Sequence, residues 1–123
     1  MEKGVAEILD GYSIALIKNQ KISTLTTNKI FIAYKKGLDE LKTKYPEIDW
    51  DTVVKPFISV NTTIWKYEAA IRQGLVDDDP TIVASRAILV REFNQVRVGL
   101  GNVVSAMLGE IEHLNVKKEH VSE

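Results

Sequence analysis

The sequence predicts an all-α protein, an antiparallel four-helix bundle with one long C-terminal helix. Apolar residues recur at steps of three, four and seven along four segments, which is the spacing of one helix face. The connections between the segments are short, as in bundles whose neighbouring helices run antiparallel. With 123 residues, a single helical domain over 1–123 is the simplest organisation, with a polar tail from about residue 115.

Composition and charge exclude several classes of protein. Hydrophobic residues make up 45% of the chain, which is enough for a core. The 16 basic and 17 acidic residues leave no basic excess that would favour nucleic acid or an anionic membrane. The absence of cysteine excludes a disulfide scaffold and a thiolate metal site. No segment approaches the ~20 apolar residues of a membrane span. We therefore expect a cytoplasmic protein with neither nucleic acid nor membrane as a partner.

Two helices are predicted in the first third of the chain. Residues 5–20 form the first, and its apolar positions predict burial on more than one side. Residues 21–28 are predicted as a loop or a weak helical end, because serine, threonine and asparagine side chains compete with the backbone for hydrogen bonds. The second helix covers residues 28–44 and has the cleanest apolar stripe: Phe31, Tyr34, Leu38, Leu41 and Tyr45.

The third predicted helix covers residues 50–75. Asp49 or Asp51 is its predicted cap, because a carboxylate accepts hydrogen bonds from the first free N–H groups. The turn that follows contains Gly74 and three aspartates. The predicted core stripe of the third helix is Val53, Phe57, Val60, Ile64, Tyr67 and Ile71.

The fourth predicted helix is the longest and covers residues 79–114. Asp79 is its predicted cap, and Pro80 fits the first helical position, where its missing N–H costs nothing. An unbroken helix here would be roughly 50 Å long, so it either bends near Gly99 and Gly101 or projects and finds a partner. Its apolar stripe is Ile82, Leu89, Phe93, Val96, Leu100, Val103, Met107, Ile111 and Leu114.

Two polar stripes are the strongest candidates for a binding site. The third helix contributes four residues that share one face, Asn61, Trp65, Glu68 and Arg72. The long helix contributes Arg86, Asn94 and Arg97. If these faces meet, their guanidinium groups suit a phosphate or carboxylate, and the indole suits a flat ring. The alternative is an ordinary surface pair between Glu68 and Arg72, with solvated arginines and Trp65 in the core.

Two other patterns resemble metal sites. Glu110 and His113 have the spacing of di-iron bundle motifs, but only one such motif is present, which favours a solvated face. The aspartates at 77–79 could hold a hard cation, but they lack the ligand spacing of an EF-hand, which favours a capping turn. No cofactor and no metal are predicted.

A stripe of small residues follows the long helix: Gly99, Asn102, Ala106 and Gly109. Glycine costs about 1 kcal/mol in a helix interior relative to alanine, so these glycines need a packing or bending reason. The stripe admits close approach of another helix, from the same chain or from a second copy. Because the helix is so long, we expect a homo-oligomer.

Three segments resemble a loose group of small uncharacterised helical proteins, some of which accompany glycan-assembly genes. The segments are DGYSIALIK at 10–18, NTTIWKYEAAIR at 61–72 and EFNQVR at 92–97. The patterns of the group are D-K-x-x-I-L-x-I-K, V-N-x-x-L-W-x-x-E-x-x-I-R and N-D-x-R. This chain departs from them at Gly11, where the group has lysine, and at Gln95, where it has aspartate. The resemblance implies no function, but it implies one shared constellation: Lys18, Asn61, Trp65, Glu68, Arg72, Asn94 and Arg97.

Three functional hypotheses follow from these patterns. The first is a non-catalytic oligomeric protein that binds a nucleotide-like or sugar-phosphate-like anion in an Arg/Asn/Trp-lined pocket between helices. The second is a structural or interaction protein whose role is self-assembly or binding of a partner helix. The third is an all-α enzyme acting on a phosphorylated or carboxylated substrate, with Glu68 as acid or base. It ranks last because the paired carboxylate motifs of metal-dependent helical hydrolases are missing.

Overall fold

The computed structural model describes residues 3–73 and 79–121, with side chains described as far as residue 113. This part of the chain forms four α-helices and no strand: α1 (Val5–Lys21), α2 (Leu25–Lys44), α3 (Trp50–Arg72) and α4 (Pro80–Val121). Their contacts confirm the predicted all-α bundle. Within the described residues, no helix is both long and apolar enough to span a membrane.

Helix α1 is the central element of the bundle. It packs against α2 on one side and against both α3 and α4 on the other, whereas α2 packs mainly on α1 and only lightly on α3. This position agrees with the prediction that α1 is buried on more than one side. It also means that any site formed by α1, α3 and α4 lies on the side of α1 away from α2.

The predicted loop over residues 21–28 is wrong in its second half, because α2 begins at Leu25. Thr24 and Thr27 form a reciprocal capping box: the Thr27 N–H donates to Thr24 Oγ1 at 3.1 Å, and the Thr24 N–H donates to Thr27 Oγ1 at 2.8 Å. The threonine hydroxyl groups, which predict a loop because they compete for backbone hydrogen bonds, therefore cap the N-terminus of a helix instead. Ser23, with φ of 54°, makes the turn before it.

The caps of α3 and α4 are confirmed. Asp49, rather than Asp51, caps α3 by accepting a hydrogen bond from the Thr52 N–H at 3.2 Å. Asp79 caps α4 by accepting from the Thr81 N–H at 2.9 Å, and Pro80 is the first helical residue. Helix α4 is one continuous helix of 42 residues, and it continues through the segment predicted as a polar tail. The predicted end of α3 at Leu75, together with Gly74, Asp77 and Asp78, lies outside the described residues.

The core lies where the C-terminal half of α2, the first half of α3 and the second half of α4 surround α1. Trp50, Phe57 and Leu9 are its largest fully buried side chains. The Trp50 indole N–H donates to the Tyr45 carbonyl oxygen at 3.1 Å, so the largest side chain of the core has no unpaired polar atom. Burying each such side chain contributes about 1.5–3 kcal/mol to stability. The predicted α2 stripe supplies Leu38, Leu41 and Tyr45 to this core.

Two predicted stripes differ from the observed ones. The buried face of α3 is Trp50, Val54, Phe57, Asn61 and Ile64, so the helix is rotated toward its polar stripe. On α4 the buried residues are Val104 and Leu108, while Ile82, Val96 and Val103 are exposed. The reason on α4 is geometric, because among the described helices α1 and α3 are the ones that pack along it, and they cover less than the full width of its apolar face.

Candidate functional site

A polar network joins α1, α3 and α4 at mid-height in the bundle, and Asp10 is at its centre. The Arg97 guanidinium holds the Asp10 carboxylate with two hydrogen bonds, from Nε to Oδ1 at 3.0 Å and from Nη2 to Oδ2 at 2.6 Å. Arg97 Nη1 also donates to Asn94 Oδ1 at 2.8 Å. The two charged side chains are only about a quarter exposed, 27% and 26%. The bidentate geometry fixes the plane of the guanidinium.

Asn61 of α3 completes the network from the buried side. Its Nδ2 donates to Asp10 Oδ1 at 3.0 Å and to Ser13 Oγ at 2.6 Å. The Ser13 hydroxyl in turn donates to the Asp10 carbonyl oxygen at 2.7 Å. Because buried polar groups are costly unless they are hydrogen-bonded, this network defines how the three helices pack against one another.

A cavity of about 260 Å³ adjoins the network, and we call it the indole pocket. Six of the eight side chains predicted as ligand-binding line it: Lys18, Asn61, Trp65, Glu68, Arg72 and Arg97. Ile14, Ile17 and Ile64 form the apolar part of its wall. The face of α3 that carries Asn61 and Trp65 therefore does meet α4 at Arg97, and α1 closes the pocket with Lys18.

The other two predicted residues lie elsewhere. Asn94 lines a second cavity of about 350 Å³, together with Glu7, Asn102 and Ser105, and we call it the amide cavity; Arg97 lines both cavities. Arg86 lies about 16 Å along α4 from Arg97 and is not part of the indole pocket.

Arg86 packs on an aromatic pair instead. Its guanidinium carbon is 5.4 Å from the centroid of the Tyr67 ring, which stacks on Phe93 with 6.1 Å between ring centroids. Its Nε is fully buried and has no hydrogen-bond partner among the described residues. The predicted grouping of Arg86 with Asn94 and Arg97 therefore separates into two places on α4.

The outer wall of the indole pocket is polar and accessible. The Arg72 guanidinium carbon lies 5.2 Å from the Trp65 ring centroid, a cation–π distance. Arg72 also forms a loose ion pair with Glu68 at 3.8 Å, with both side chains about half exposed. This is the i,i+4 pair that the alternative interpretation expects. Such exposed pairs contribute little, so Arg72 can exchange Glu68 for another anion at small cost.

The remaining sequence patterns form no site within the described residues, and Asp77 and Asp78 lie outside them. Glu110 and His113 are exposed on α4, and Asp79 caps that helix. Among the described side chains, no three His, Cys, Asp or Glu residues come close enough to hold a metal ion. Gly99 and Gly109 of the small-residue stripe have no neighbouring atom within 4 Å of a Cβ built on them, so no helix of the described chain packs there.

Two residues of the network, Asp10 and Ser13, were missed as site residues by sequence reasoning. A signal was present, because Asp10 is a charged residue next to Leu9 on a helix predicted to be buried on more than one side. A carboxylate in such a place needs a partner. Asp10 is also the first residue of the segments that carry the family resemblance.

That resemblance stays a prediction. Comparison of the chain with family models, with curated proteins and with solved structures finds no match.

Proposed function

We propose that this protein binds a small anionic molecule, nucleotide-like or sugar-phosphate-like, in the indole pocket, and that it does so without catalysis. One observation carries the proposal. Cationic side chains from three different helices, Lys18 of α1, Arg72 of α3 and Arg97 of α4, line a single cavity beside the indole of Trp65. These three cations come together only in the folded bundle, so their grouping differs from the charged residues that any single exposed helix carries.

The charges around the pocket favour an anion. Arg97 is neutralised by Asp10, which lies behind it, and Arg72 is only loosely paired with Glu68. Lys18 makes no ion pair with any described residue. The pocket therefore carries a net positive charge, and its two more accessible cations, Lys18 and Arg72, are free to turn toward a ligand. Guanidinium and ammonium groups together are a common receptor for phosphate.

The volume and the indole limit the size of the ligand. At about 260 Å³ the pocket is slightly smaller than the roughly 300–1,000 Å³ of typical ligand sites. A single ring with one anionic group fits this volume better than a dinucleotide. The half-buried Trp65 offers that ring an apolar surface, and three isoleucines line the inner wall.

The proposal is tested by isothermal titration calorimetry at low salt with inorganic phosphate, a nucleoside monophosphate and a sugar phosphate. Lys18→Ala and Arg72→Ala are each expected to weaken binding about 5- to 10-fold, because each removes one charged hydrogen bond. Arg91→Ala is the matched control, since it removes the same charge from an exposed position on α4 outside the pocket.

Two results would overturn the proposal. The pocket is not the site if Lys18→Ala and Arg72→Ala leave every measured affinity unchanged. Binding is unspecific if Arg91→Ala weakens it as much as they do.

Self-assembly is the second candidate function, and the exposed apolar row of α4 favours it. Ile82, Leu89, Val96 and Val103 follow one another at seven-residue intervals, which corresponds to one position of a heptad repeat. Val96 and Val103 are 46% and 67% exposed. A homo-oligomer that covers this row is compatible with ligand binding, because the row lies outside the indole pocket.

The enzyme hypothesis remains a prediction with less support. Within the lining of the indole pocket Glu68 is the one carboxylate, whereas helical hydrolases that act through metals or acid–base pairs use two or more. A turnover assay with Glu68→Gln as control decides it.

A further inference from the structure

Asn61 is a buried amide whose orientation is fixed by its neighbours. It is only 5% exposed, and its Nδ2 group donates to both Asp10 Oδ1 and Ser13 Oγ. An ionised carboxylate can only accept hydrogen bonds, so the NH₂ end of the amide must face Asp10. The carbonyl end, Oδ1, is thereby directed away from Asp10 and Ser13.

The acceptor Oδ1 has no donor within the described protein. Ser13 cannot supply one, because its single hydroxyl hydrogen is given to the Asp10 carbonyl oxygen at 2.7 Å. No other described residue donates to Asn61 Oδ1. Asn61 lines the indole pocket, and Oδ1 is the polar atom it has left to present there. The floor of the pocket therefore contains one oriented hydrogen-bond acceptor.

Arg97 lines the same pocket and has donors that the network leaves unused. Three of its five N–H groups are used by Asp10 and Asn94, so two remain. The same oxygen, Asp10 Oδ1, accepts from both Asn61 Nδ2 and Arg97 Nε at 3.0 Å. Sharing one oxygen keeps the side chains of Asn61 and Arg97 next to each other in the wall of the pocket.

We propose that the ligand of the indole pocket carries a hydroxyl group next to its anionic group, as a hydroxy acid or a polyol phosphate does. The hydroxyl donates to Asn61 Oδ1, and the anionic oxygens accept from Arg97. This inference rests on the proposed anion-binding function and narrows it to one class of ligand. An anion without the hydroxyl leaves Oδ1 covered and unpaired, which sites of this kind discriminate against strongly.

The test compares two probes of equal charge and chain length, glycerol 3-phosphate and propyl phosphate, by calorimetry on the full-length protein. We expect the wild type to bind glycerol 3-phosphate at least 10-fold more tightly. In Asn61→Ala the ratio of the two affinities falls to about one. Thr62→Ala is the matched control, because it removes a polar side chain next to Asn61 on α3 that does not line the pocket, so the ratio is retained.

A second measurement applies if Asn61→Ala does not fold. In the wild type, the side-chain amide resonance of Asn61 is expected to shift on addition of glycerol 3-phosphate and much less on addition of propyl phosphate. If the wild type binds the two probes within twofold of each other, the hydroxyl inference is wrong while anion binding stands. If neither probe nor inorganic phosphate binds, the anion-binding proposal fails and the inference fails with it.

Discussion

At the scale of single residues, Gly11 determines how closely α1 and α2 approach. A Cβ built on Gly11 would overlap the ring of Tyr34. Tyr34 is half-buried on the predicted stripe of α2, and its ring occupies the space that any larger residue at 11 would need.

We predict that Gly11→Ala destabilises the protein. Alanine favours the helix by about 1 kcal/mol, but displacing the ring costs about 1–3 kcal/mol as overpacking, so the net effect is a loss. Urea unfolding measures it. Gly109→Ala is the control, because nothing lies within 4 Å of its Cβ and the same substitution there should stabilise. Equal stabilisation by both substitutions would show that the Tyr34 ring moves freely.

At the scale of elements, one hydrogen bond ties the end of α2 to α4. The Tyr45 hydroxyl donates to Glu112 Oε1 at 2.5 Å, although the two residues are 67 positions apart. This hydrogen bond, and after it the burial of the ring, raises the pKa of Tyr45 above its usual value. The folded state therefore favours the neutral phenol. Since α2 otherwise packs mainly on α1, this bond also helps to fix α2 relative to α4.

The stabilisation by Tyr45 has a defined pH window. The pKa of Tyr45 is higher in the folded protein than in the unfolded chain. The contribution of Tyr45 to the free energy of unfolding is therefore complete below the unfolded-state pKa of roughly 10, and it is lost as the pH rises through the folded-state pKa. We predict that Tyr45→Phe is less stable by about 1 kcal/mol at neutral pH and that the difference shrinks at high pH. Thermal unfolding from pH 7 to 11 measures it. Tyr12→Phe is the control, since its hydroxyl makes no hydrogen bond to a described residue; a difference that is constant with pH would contradict the assignment.

At the scale of the whole molecule, α4 presents exposed apolar side chains that no described helix covers. It is much longer than α3, the helix against which it runs, and the row containing Val96 and Val103 faces away from the core. We predict that the wild type self-associates and that Val96→Lys combined with Val103→Glu makes it monomeric without unfolding it. Light scattering over a range of protein concentrations measures the mass.

The control for that prediction is Ile32→Glu, which removes an equally exposed apolar side chain from α2. It should leave the mass unchanged. A wild type that remains monomeric at high concentration would remove the support for self-assembly while leaving the ligand proposal unaffected.

The elements could be predicted from the sequence because their signals are local. The cap at Asp79, Pro80 after it and the α2 stripe each depend on residues within a few turns of one another. The polar face of α3 was predicted for the same reason, and six of the eight candidate residues do share one pocket. The four of them that α3 contributes lie on one helix face as a consequence of their spacing alone.

The network could not be predicted, because its pairs are distant in the chain. Asn61 and Arg97 meet Asp10 across 51 and 87 residues. Periodicity indicates which face of a helix is polar, but not which helix that face meets. The pattern therefore groups Arg86 with Arg97 although Arg86 packs on Tyr67. Asn94 does contact Arg97, but it lines the amide cavity and not the indole pocket. The burial of Asn61 likewise depends on its hydrogen-bond partners on α1, Asp10 and Ser13, and could not be predicted from the residues around Asn61 on α3.

The separation between Asp10 and Arg97 also has a consequence for synthesis. A ribosome that adds 5–20 residues per second needs about 4–17 seconds to proceed from one to the other. During that time α1 exists in the nascent chain without its counter-ion, and its carboxylate remains hydrated. The indole pocket can form only after Arg97 has been synthesised, so a nascent chain that stops before α4 would contain three of the helices but no complete indole pocket.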